Sequence, residues 1–263
     1  MSDWVLKSAT LFEPLILRLK QELLKQDVIH VDETTVNVVK FDKVKSYMWL
    51  YCTGTDSPAP LNEIPNIVLF DYHNSRAGAC VVDYLSGYNG YLQIDGYQAY
   101  AQTQATPVGC WAHARRKFIE AKLKGKTAKE RDEIRQQQAK PILKKLHDWL
   151  TKQHVLSKTK LGEAITYLNN QWHKLIRYLE NGLLNIDNNR AERVIKPFVI
   201  GRKSWLFSQT ANGAHASAVL YSIIESAKTN GLIPFDYLLK CLDELCKSAS
   251  DVEKILPWNI NKS

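Results

Sequence analysis

The stretch VIHVDETTVNVV, residues 28–39, leaves little choice of secondary structure. Most of its residues are β-branched, and such side chains favour an extended strand that packs within a sheet. Asp32 and Glu33 interrupt the apolar residues at the centre of the stretch. A carboxylate is costly to bury unless a partner compensates for the lost water. Because neighbouring residues of a strand point to opposite faces, at most one of these two acids points into any one site.

The surrounding sequence predicts a sheet with helices packed on it. Four more segments have strand-like composition: residues 46–54, 66–73, 90–97 and 107–112. The order strand, short turn, strand, Pro-bearing loop, strand predicts an antiparallel meander. Residues 11–25 have an amphipathic helical pattern entered through Pro14, a second helix is predicted to end at Leu85, and a short helix covers residues 97–104. The pattern therefore predicts an α/β fold around a five-stranded sheet.

Residues 126–181 lack strand patterning and predict a helical insertion. The last helix of this segment has an apolar stripe typical of a packed core: Leu161, Ile165, Leu168, Trp172, Leu175 and Leu179. Helices are predicted again around residues 216–230 and after Pro234. The predicted domain plan has four parts: residues 1–125 as the first part of the core, 126–181 as the insertion, 182–232 as the remainder of the core, and 233–263 as a helical tail.

The charge balance points to a polyanionic partner. The 263 residues have a formal net charge of +8 and a pI of about 9.1, which favours nucleic acid over a membrane surface. No apolar run reaches the roughly 18 residues of a membrane span, and the first ten residues lack the pattern of a signal peptide. The sequence therefore predicts a soluble, cytoplasmic protein.

The cysteines predict reduced thiols. The sequence has five of them, an odd number with irregular spacing: Cys52, Cys80, Cys110, Cys241 and Cys246. That arrangement argues against a disulfide framework. Neither Cys110 with His113 nor Cys241 with Cys246 has the paired spacing of a zinc module, so no zinc site is expected.

Residues 186–207, IDNNRAERVIKPFVIGRKSWLF, place one acid among several cations. Glu192 is surrounded in sequence by five of them: Arg190, Arg193, Lys196, Arg202 and Lys203. Nearby positive charge keeps a carboxylate ionised, and an ionised carboxylate beside a polyanion could hold a divalent metal against its phosphates. A structural alternative stays open, because Asn189 and Glu192 have the spacing of a capping box.

Three dispersed acids could form a metal site. Asp32 lies on the first predicted strand, Asp95 ends the fourth, and Glu192 lies on a later helix. Magnesium takes oxygen ligands and keeps several waters, so two or three carboxylates suffice to hold it against phosphates. The set is a weak signal by itself, since other acids compete for such a role: Asp71, Asp83, Asp187 and Glu225.

A family resemblance strengthens this choice. Its motifs extend along nearly the whole chain: HVDET (30–34), LQIDGYQAY (92–100), GCWAHARRKF (109–118), LNNQW (168–172), DNNRAERVIKP (187–197), GRKSWLF (201–207) and the closing LPWN. The sequence resembles the catalytic region of the insertion-sequence-66 family of bacterial transposases. The resemblance implies an RNase H-like, retroviral-integrase-type fold with a mixed five-stranded sheet, flanking helices and a helical insertion. It also implies a DDE triad of Asp32, Asp95 and Glu192 that holds two Mg²⁺ ions, with Mn²⁺ as a substitute.

The implied activity is metal-dependent cleavage of DNA at insertion-sequence ends, followed by strand transfer into target DNA. Seven cations are expected near the DNA phosphates: Arg115, Arg116, Lys117, Arg190, Arg193, Arg202 and Lys203. For the basic run from Arg115 to Arg131, a merely solvated helical face is the alternative. Trp111 and Trp205 are expected in the core rather than as stacking platforms.

The sequence also departs from the family in two places. Full-length members are expected to have an N-terminal DNA-recognition portion ahead of the catalytic core, and the stretch after ARRKFIEAK is shortened here. Two other functions therefore stay open. One is a truncated, catalytically idle remnant that binds DNA or regulates full-length transposase; the other is a general RNase H-like nuclease. A homo-oligomer or the full-length transposase is the expected protein partner.

Overall fold

A five-stranded mixed sheet lies at the centre of the computed structural model, which describes residues 3–39, 45–55, 64–112, 128–153, 155–156, 159–205 and 208–260. The strands are β1 (Val28–Asn37), β2 (Lys45–Cys52), β3 (Val68–His73), β4 (Tyr91–Gln93) and β5 (Thr106–Val108). Their order across the sheet is β3-β2-β1-β4-β5. The first three strands pair antiparallel, whereas β4 pairs parallel with both β1 and β5. The predicted α/β class, the mixed five-stranded sheet and the meander of the first three strands are confirmed.

Eight α-helices accompany the sheet in the described part of the chain: α1 (Asp3–Leu23), α2 (Gly78–Tyr84), α3 (Ala128–Ile134), α4 (Lys140–Leu150), α5 (Lys160–Leu175), α6 (Asn189–Trp205), α7 (Ala211–Thr229) and α8 (Pro234–Leu245). A π-helical turn, Arg135–Ala139, joins α3 to α4, and short 3₁₀ helices cover Gln98–Gln102, Ile176–Leu179 and Val252–Ile255. Within the described ranges, no helix is long and apolar enough to span a membrane.

The two faces of the sheet pack against different helices. On one face, the buried residues Ile29, Val31, Trp49 and Tyr51 share a core cluster with residues of α1, α2, α7 and α8. On the other, Val36, Met48, Leu50 and Phe70 contact α6. Because both faces are covered, β1 has apolar side chains in both phases along its length. Asp32 is paired with Leu50 and Glu33 with Trp49, so Asp32 points to the α6 face and Glu33 to the opposite one.

Helix α7 covers the outer edge of β3. Ser222 Oγ accepts from the N–H of Phe70 at 2.7 Å, and Ser226 Oγ accepts from the N–H of Val68 at 3.0 Å. Ser226 also donates to the Val68 carbonyl at 2.9 Å. An edge strand with unpaired backbone groups invites pairing with another chain. These serine hydroxyls therefore satisfy the edge and hold α7 against the sheet.

The segment between β5 and α6 is helical wherever the structure describes it, and residues 128–153, 155–156 and 159–181 contain no strand. Most of its predicted apolar stripe is buried, with Ile165, Leu168 and Leu175 in one core cluster. Leu161 at the start of the stripe is instead 47% exposed. Trp111 packs edge-on against Trp172, and its indole N–H donates to the Leu175 carbonyl at 2.7 Å. The division of the chain into four parts remains a prediction.

Arg135 connects the two halves of this helical segment. Its guanidinium is buried and donates to the carbonyls of Tyr178 at 2.8 Å, Asn181 at 2.7 Å and Leu184 at 2.8 Å. These carbonyls lie at and beyond the C-terminal end of a helix, where backbone oxygens have no intrahelical partner. The forked guanidinium thus satisfies three acceptors that would otherwise lose water without compensation.

We expect Arg135→Met to lower the free energy of unfolding by about 3 kcal/mol, because it leaves buried carbonyls without a donor. Urea unfolding followed by circular dichroism measures the change. Gln137→Ala is the matched control, since Gln137 lies in the same turn but is exposed. Equal unfolding midpoints for the two variants would show that Arg135 does not hold the segment together.

Several predicted boundaries differ from the structure. Helix α1 begins at Asp3 and contains Pro14, rather than beginning there. Strand β4 ends at Gln93 instead of Tyr97 because the chain turns at Asp95, whose carboxylate accepts from the N–H of Tyr97 at 2.8 Å. The fifth strand is likewise shorter than predicted, since it pairs only with the three residues of β4.

Candidate active site

The sheet register brings Asp32 and Asp95 together. Parallel pairing aligns Val28 with Tyr91 and His30 with Gln93. Continued by two residues, the same register places Asp32 beside Asp95, at the point where β4 has ended. Side chains at matching positions of adjacent parallel strands lie on the same face. The two acids are therefore neighbours although they are far apart in sequence.

A tight turn fixes Asp95. Its Oδ1 accepts from the N–H of Tyr97 at 2.8 Å, which closes an Asx turn. Gly96 within the turn has φ +113°, a conformation that favours glycine. Tyr167 on α5 donates its hydroxyl to the Asp95 carbonyl at 3.3 Å. The helical segment thus contacts the Asp95 turn directly.

Glu192 lies in the first turn of α6, the helix that packs on the Asp32 face of the sheet. The pKa of Asp32 is raised to about 7, chiefly by burial and then by the negative charge of Glu33, with smaller contributions from Asp95 and Glu192 and against a hydrogen bond from the Glu33 N–H. That bond reaches Asp32 Oδ1 at 2.8 Å. An electrostatic effect of this kind requires proximity. The structure therefore brings Asp95 and Glu192 each within electrostatic reach of Asp32.

These acids are not arranged as a closed metal cage. Among the described residues, no three His, Cys, Asp or Glu side chains form a group that could by itself hold a metal ion. Magnesium does not need such a group, because waters and substrate phosphates fill most of its coordination positions. The arrangement is consequently compatible with an ion held between the protein and a phosphate-bearing substrate.

Glu33 organises the opposite face of the same strand. Its carboxylate accepts from the Tyr100 hydroxyl and from Arg76, whose Nε is 2.9 Å away. The Arg76 guanidinium stacks 3.8 Å above the Tyr97 ring, and Tyr97 donates its hydroxyl to the Arg76 carbonyl at 2.9 Å. Burial raises the pKa of Glu33, while the bonds from Tyr100 and Arg76 act in the opposite direction. Since the Asp95 turn closes on the N–H of Tyr97, this network also holds Asp95.

Arg190 was expected to contact a DNA phosphate, but in the structure its side chain contacts the protein instead. Its side chain is buried, with the residue 4% exposed, and its Nη2 donates to the Thr53 carbonyl at 3.1 Å. Arg190 therefore anchors the start of α6 to the end of β2. Arg202 is also engaged with the sheet, donating to the hydroxyls of Thr34 and Thr35 at 3.0 Å each and to the Thr35 carbonyl.

The other predicted cations divide into two groups. Arg193 and Lys203 are exposed on α6, as a phosphate contact requires. Lys196, which is not among the seven cations expected at the DNA phosphates, is exposed between them and completes a stripe along one side of the helix. Arg115, Arg116 and Lys117 lie outside the described residues.

Sequence reasoning missed the contribution of α5. Gln171 and Tyr167 line the Asp95 turn, and a Cβ placed on Gly96 would lie 3.4 Å from the Tyr167 hydroxyl and 3.6 Å from Gln171 Oε1. Burial, together with neighbouring Arg177, lowers the pKa of Lys174, whereas the Asp95 carboxylate acts in the opposite direction. The apolar stripe of α5 indicated only a core helix. The LNNQW motif, which contains Gln171, was the available signal for its polar side.

The contacts of the acids bear on the structural alternatives for their roles. In a capping box the N–H of Asn189 would be directed to Glu192, but it donates to Asp187 Oδ1 at 3.1 Å. The competing acids have other surroundings: Asp71 pairs with His73, Glu225 pairs with Lys228, and Asp83 is exposed on α2. Asp32, Asp95 and Glu192 remain the acids that the fold gathers on one side of the sheet.

Comparisons with known proteins identify the class of the chain as transposase. The family model described as "Transposase IS66 family" matches residues 1–129 and 119–216, and the model described as "IS66 C-terminal element" matches residues 222–258. The chain belongs to the IS66 family of transposases. No solved structure matches it.

Three similar proteins come from Sinorhizobium fredii (strain NBRC 101917 / NGR234), each described as uncharacterized. Protein y4qI is 31% identical over 88% of this chain and 50% of its own length. Protein y4hP is 26% identical over 98% of this chain and 55% of its own, and y4jD is 27% identical over 97% and 58%. The chain thus spans about half the length of these curated relatives. The match to y4hP covers 306 positions, more than the 263 of this chain, so that relative has internal residues absent here.

Proposed function

We propose that this chain is a DDE-type transposase with an RNase H-like fold, and that Asp32, Asp95 and Glu192 are its catalytic acids. The observation that supports the proposal is geometric: the parallel register places Asp95 beside Asp32, and Glu192 lies in the first turn of the helix that packs on the same face of the sheet. Such a gathering of like charges is unfavourable unless a cation or a proton relieves it. Membership of a transposase family makes a divalent cation the natural partner of this site.

The donor set fits Mg²⁺. It consists of carboxylate oxygens, the ligands that this hard ion prefers, and their mutual repulsion is what a dication would relieve. Asp32, Asp95 and Glu192 would together hold two Mg²⁺ ions, or Mn²⁺ in their place. When bound, the ions supply neutralisation of phosphate charge and a nucleophile of lowered pKa.

The proposed reaction has two phosphoryl-transfer steps. In cleavage, a water oxygen bonds to the phosphorus, the bond from phosphorus to the 3′ oxygen breaks, and that oxygen takes up a proton. In strand transfer, the freed 3′-hydroxyl attacks a target phosphodiester, so one phosphorus–oxygen bond forms and one breaks. The chain's own contribution is to fix the acids rigidly. The Asx turn and the two faces of β1 hold them in place before DNA arrives.

Phosphate binding is proposed for the solvent-facing side of α6. Arg193, Lys196 and Lys203 lie on one side of this helix, and Glu192 lies in its first turn. A DNA backbone that follows the helix would therefore reach the acids. The sequence adds Arg115, Arg116 and Lys117 to this surface as a further expectation. Such contacts position the DNA without reading its sequence.

The test is cleavage of a labelled duplex that contains the ends of the chain's own element. We expect nicking that requires Mg²⁺ or Mn²⁺, stops on addition of EDTA and resumes when the metal is restored. An RNA–DNA hybrid of the same length distinguishes a transposase from a general RNase H-like nuclease. A matched duplex with scrambled ends shows whether cleavage depends on the end sequence. DNA binding without metal-dependent cleavage of any substrate would overturn the proposal and favour the idle remnant.

A further inference from the structure

Asn188 lies between the two elements that contain Asp32 and Glu192. It is 1% exposed and immediately precedes α6. Its side-chain Nδ2 donates to the Val31 carbonyl of β1 at 2.9 Å, next to Asp32. Its own carbonyl accepts from the N–H of Glu192 at 3.2 Å. One residue thus bonds to the strand beside one proposed acid and to the backbone of another.

Two further bonds fix the orientation of Asn188. His30, which is 3% exposed, has its Nδ1 3.0 Å from Asn188 Oδ1. The amide of Asn185 donates to His30 Nε2 at 3.4 Å, so the ring proton lies on Nδ1 and His30 donates to Asn188. The backbone N–H of Asn188 donates to Cys110 Sγ at 3.0 Å.

We infer that Asn188 is a positioning residue, which sets the distance and orientation of Glu192 relative to Asp32. The inference rests on the proposed function, because it assigns Asn188 a role only if those two acids act together. Asparagine suits the position since its amide accepts from His30 and donates to Val31 at once. An ionised aspartate can accept from His30 but cannot donate to Val31, and a hydrophobic side chain can do neither. Residues that orient metal ligands in this way affect metal affinity and activity about 10–100-fold when they are replaced.

The test uses Mn²⁺ binding by titration calorimetry beside single-turnover DNA cleavage. We expect Asn188→Ala to weaken Mn²⁺ binding about 10–100-fold and to lower kcat by a similar factor with little change in KM for DNA. His30→Ala should have a smaller effect in the same direction. The double variant should be no worse than Asn188→Ala, because both replacements break one connected network.

Asn189→Ala is the matched control, because Asn189 is the next residue and its side chain bonds only locally, to Asp187 at 2.8 Å. It should bind Mn²⁺ and cleave DNA like the wild type. If Asn188→Ala does not fold, Asn188→Ser replaces it, since serine still suits the residue before a helix but is too short to bridge His30 and Val31. Loss of folding in both variants would replace the positioning role by a purely structural one.

The outcomes separate this inference from the proposed function. A folded Asn188→Ala with wild-type Mn²⁺ affinity and cleavage, measured beside an inactive Asp95→Asn, would overturn the positioning role alone. If instead Asp95→Asn binds Mn²⁺ and cleaves like the wild type, the assignment of the acids fails, and the role of Asn188 fails with it.

Discussion

Asp95→Asn is expected to reduce DNA cleavage at least about a thousandfold. The amide keeps the size of the side chain and still accepts from the Tyr97 N–H, but it removes the negative charge beside Asp32. A thousandfold loss corresponds to about 4 kcal/mol of transition-state stabilisation, within what mutation of a metal-binding acid removes. Single-turnover cleavage of an end-labelled duplex in Mg²⁺ measures the rate.

Asp32→Asn and Glu192→Gln should produce losses of the same order, and combining them with Asp95→Asn should add little. Groups that act as a unit give strongly non-additive effects, because removing one disables the rest. DNA binding without metal should stay intact or become slightly tighter in each variant, since a negative charge near the phosphates is lost. Asp83→Asn is the control, because Asp83 is an exposed acid on α2. Wild-type cleavage by Asp95→Asn would remove Asp95 from the site.

The fold was largely predictable because its strands are chemically distinctive. The β-branched run at residues 28–39 and the strands that follow it gave the meander correctly. The short strands β4 and β5 were predicted in the right places but too long. Their ends depend on the Asp95 turn and on a partner of only three residues, and neither is visible in local composition.

The site was predictable in its residue types but not in its geometry. The spacing of Asp32 and Asp95 cannot show that β1 and β4 are adjacent and parallel, because register is set by tertiary packing. Arg190 shows that membership of a basic motif does not predict whether a side chain is exposed. It belongs to a basic motif, yet its acceptor is the Thr53 carbonyl, 137 positions away along the chain, so sequence alone gives no reason to bury it.

Asn188 and Glu33 show that a sequence motif does not reveal what each of its residues does. HVDET and DNNRAERVIKP each contain a proposed metal ligand, and the resemblance drew attention to that residue alone. Their other members, His30, Glu33 and Asn188, contact partners between 43 and 158 positions away. We propose that these three residues orient the acids, whereas Arg193 and Lys196 of the second motif are proposed to contact phosphates.

Affinity for duplex DNA is expected to fall about a thousandfold between 50 and 200 mM salt. Six cations are proposed to contact phosphates: Arg115, Arg116, Lys117, Arg193, Lys196 and Lys203. Each neutralised phosphate contributes roughly −0.9 to the slope of log affinity against log salt, so the slope should be about −5. Element-end and scrambled duplexes should give equal affinities, because phosphate contacts contain no base information. Fluorescence anisotropy over a salt titration measures both quantities.

The double variant Lys196→Glu/Lys203→Glu should make the slope of log affinity against log salt less negative by about two, because each charge reversal removes a phosphate contact. The matched control is Lys7→Glu with Lys240→Glu, which changes the net charge equally. Those lysines are exposed on α1 and α8, across the sheet from α6. If both double variants lose affinity equally, net charge rather than the α6 surface governs binding. A much higher affinity of the wild type for element-end duplex than for scrambled duplex would show that this chain reads base sequence. The binding surface would then have to include contacts to base edges in a groove.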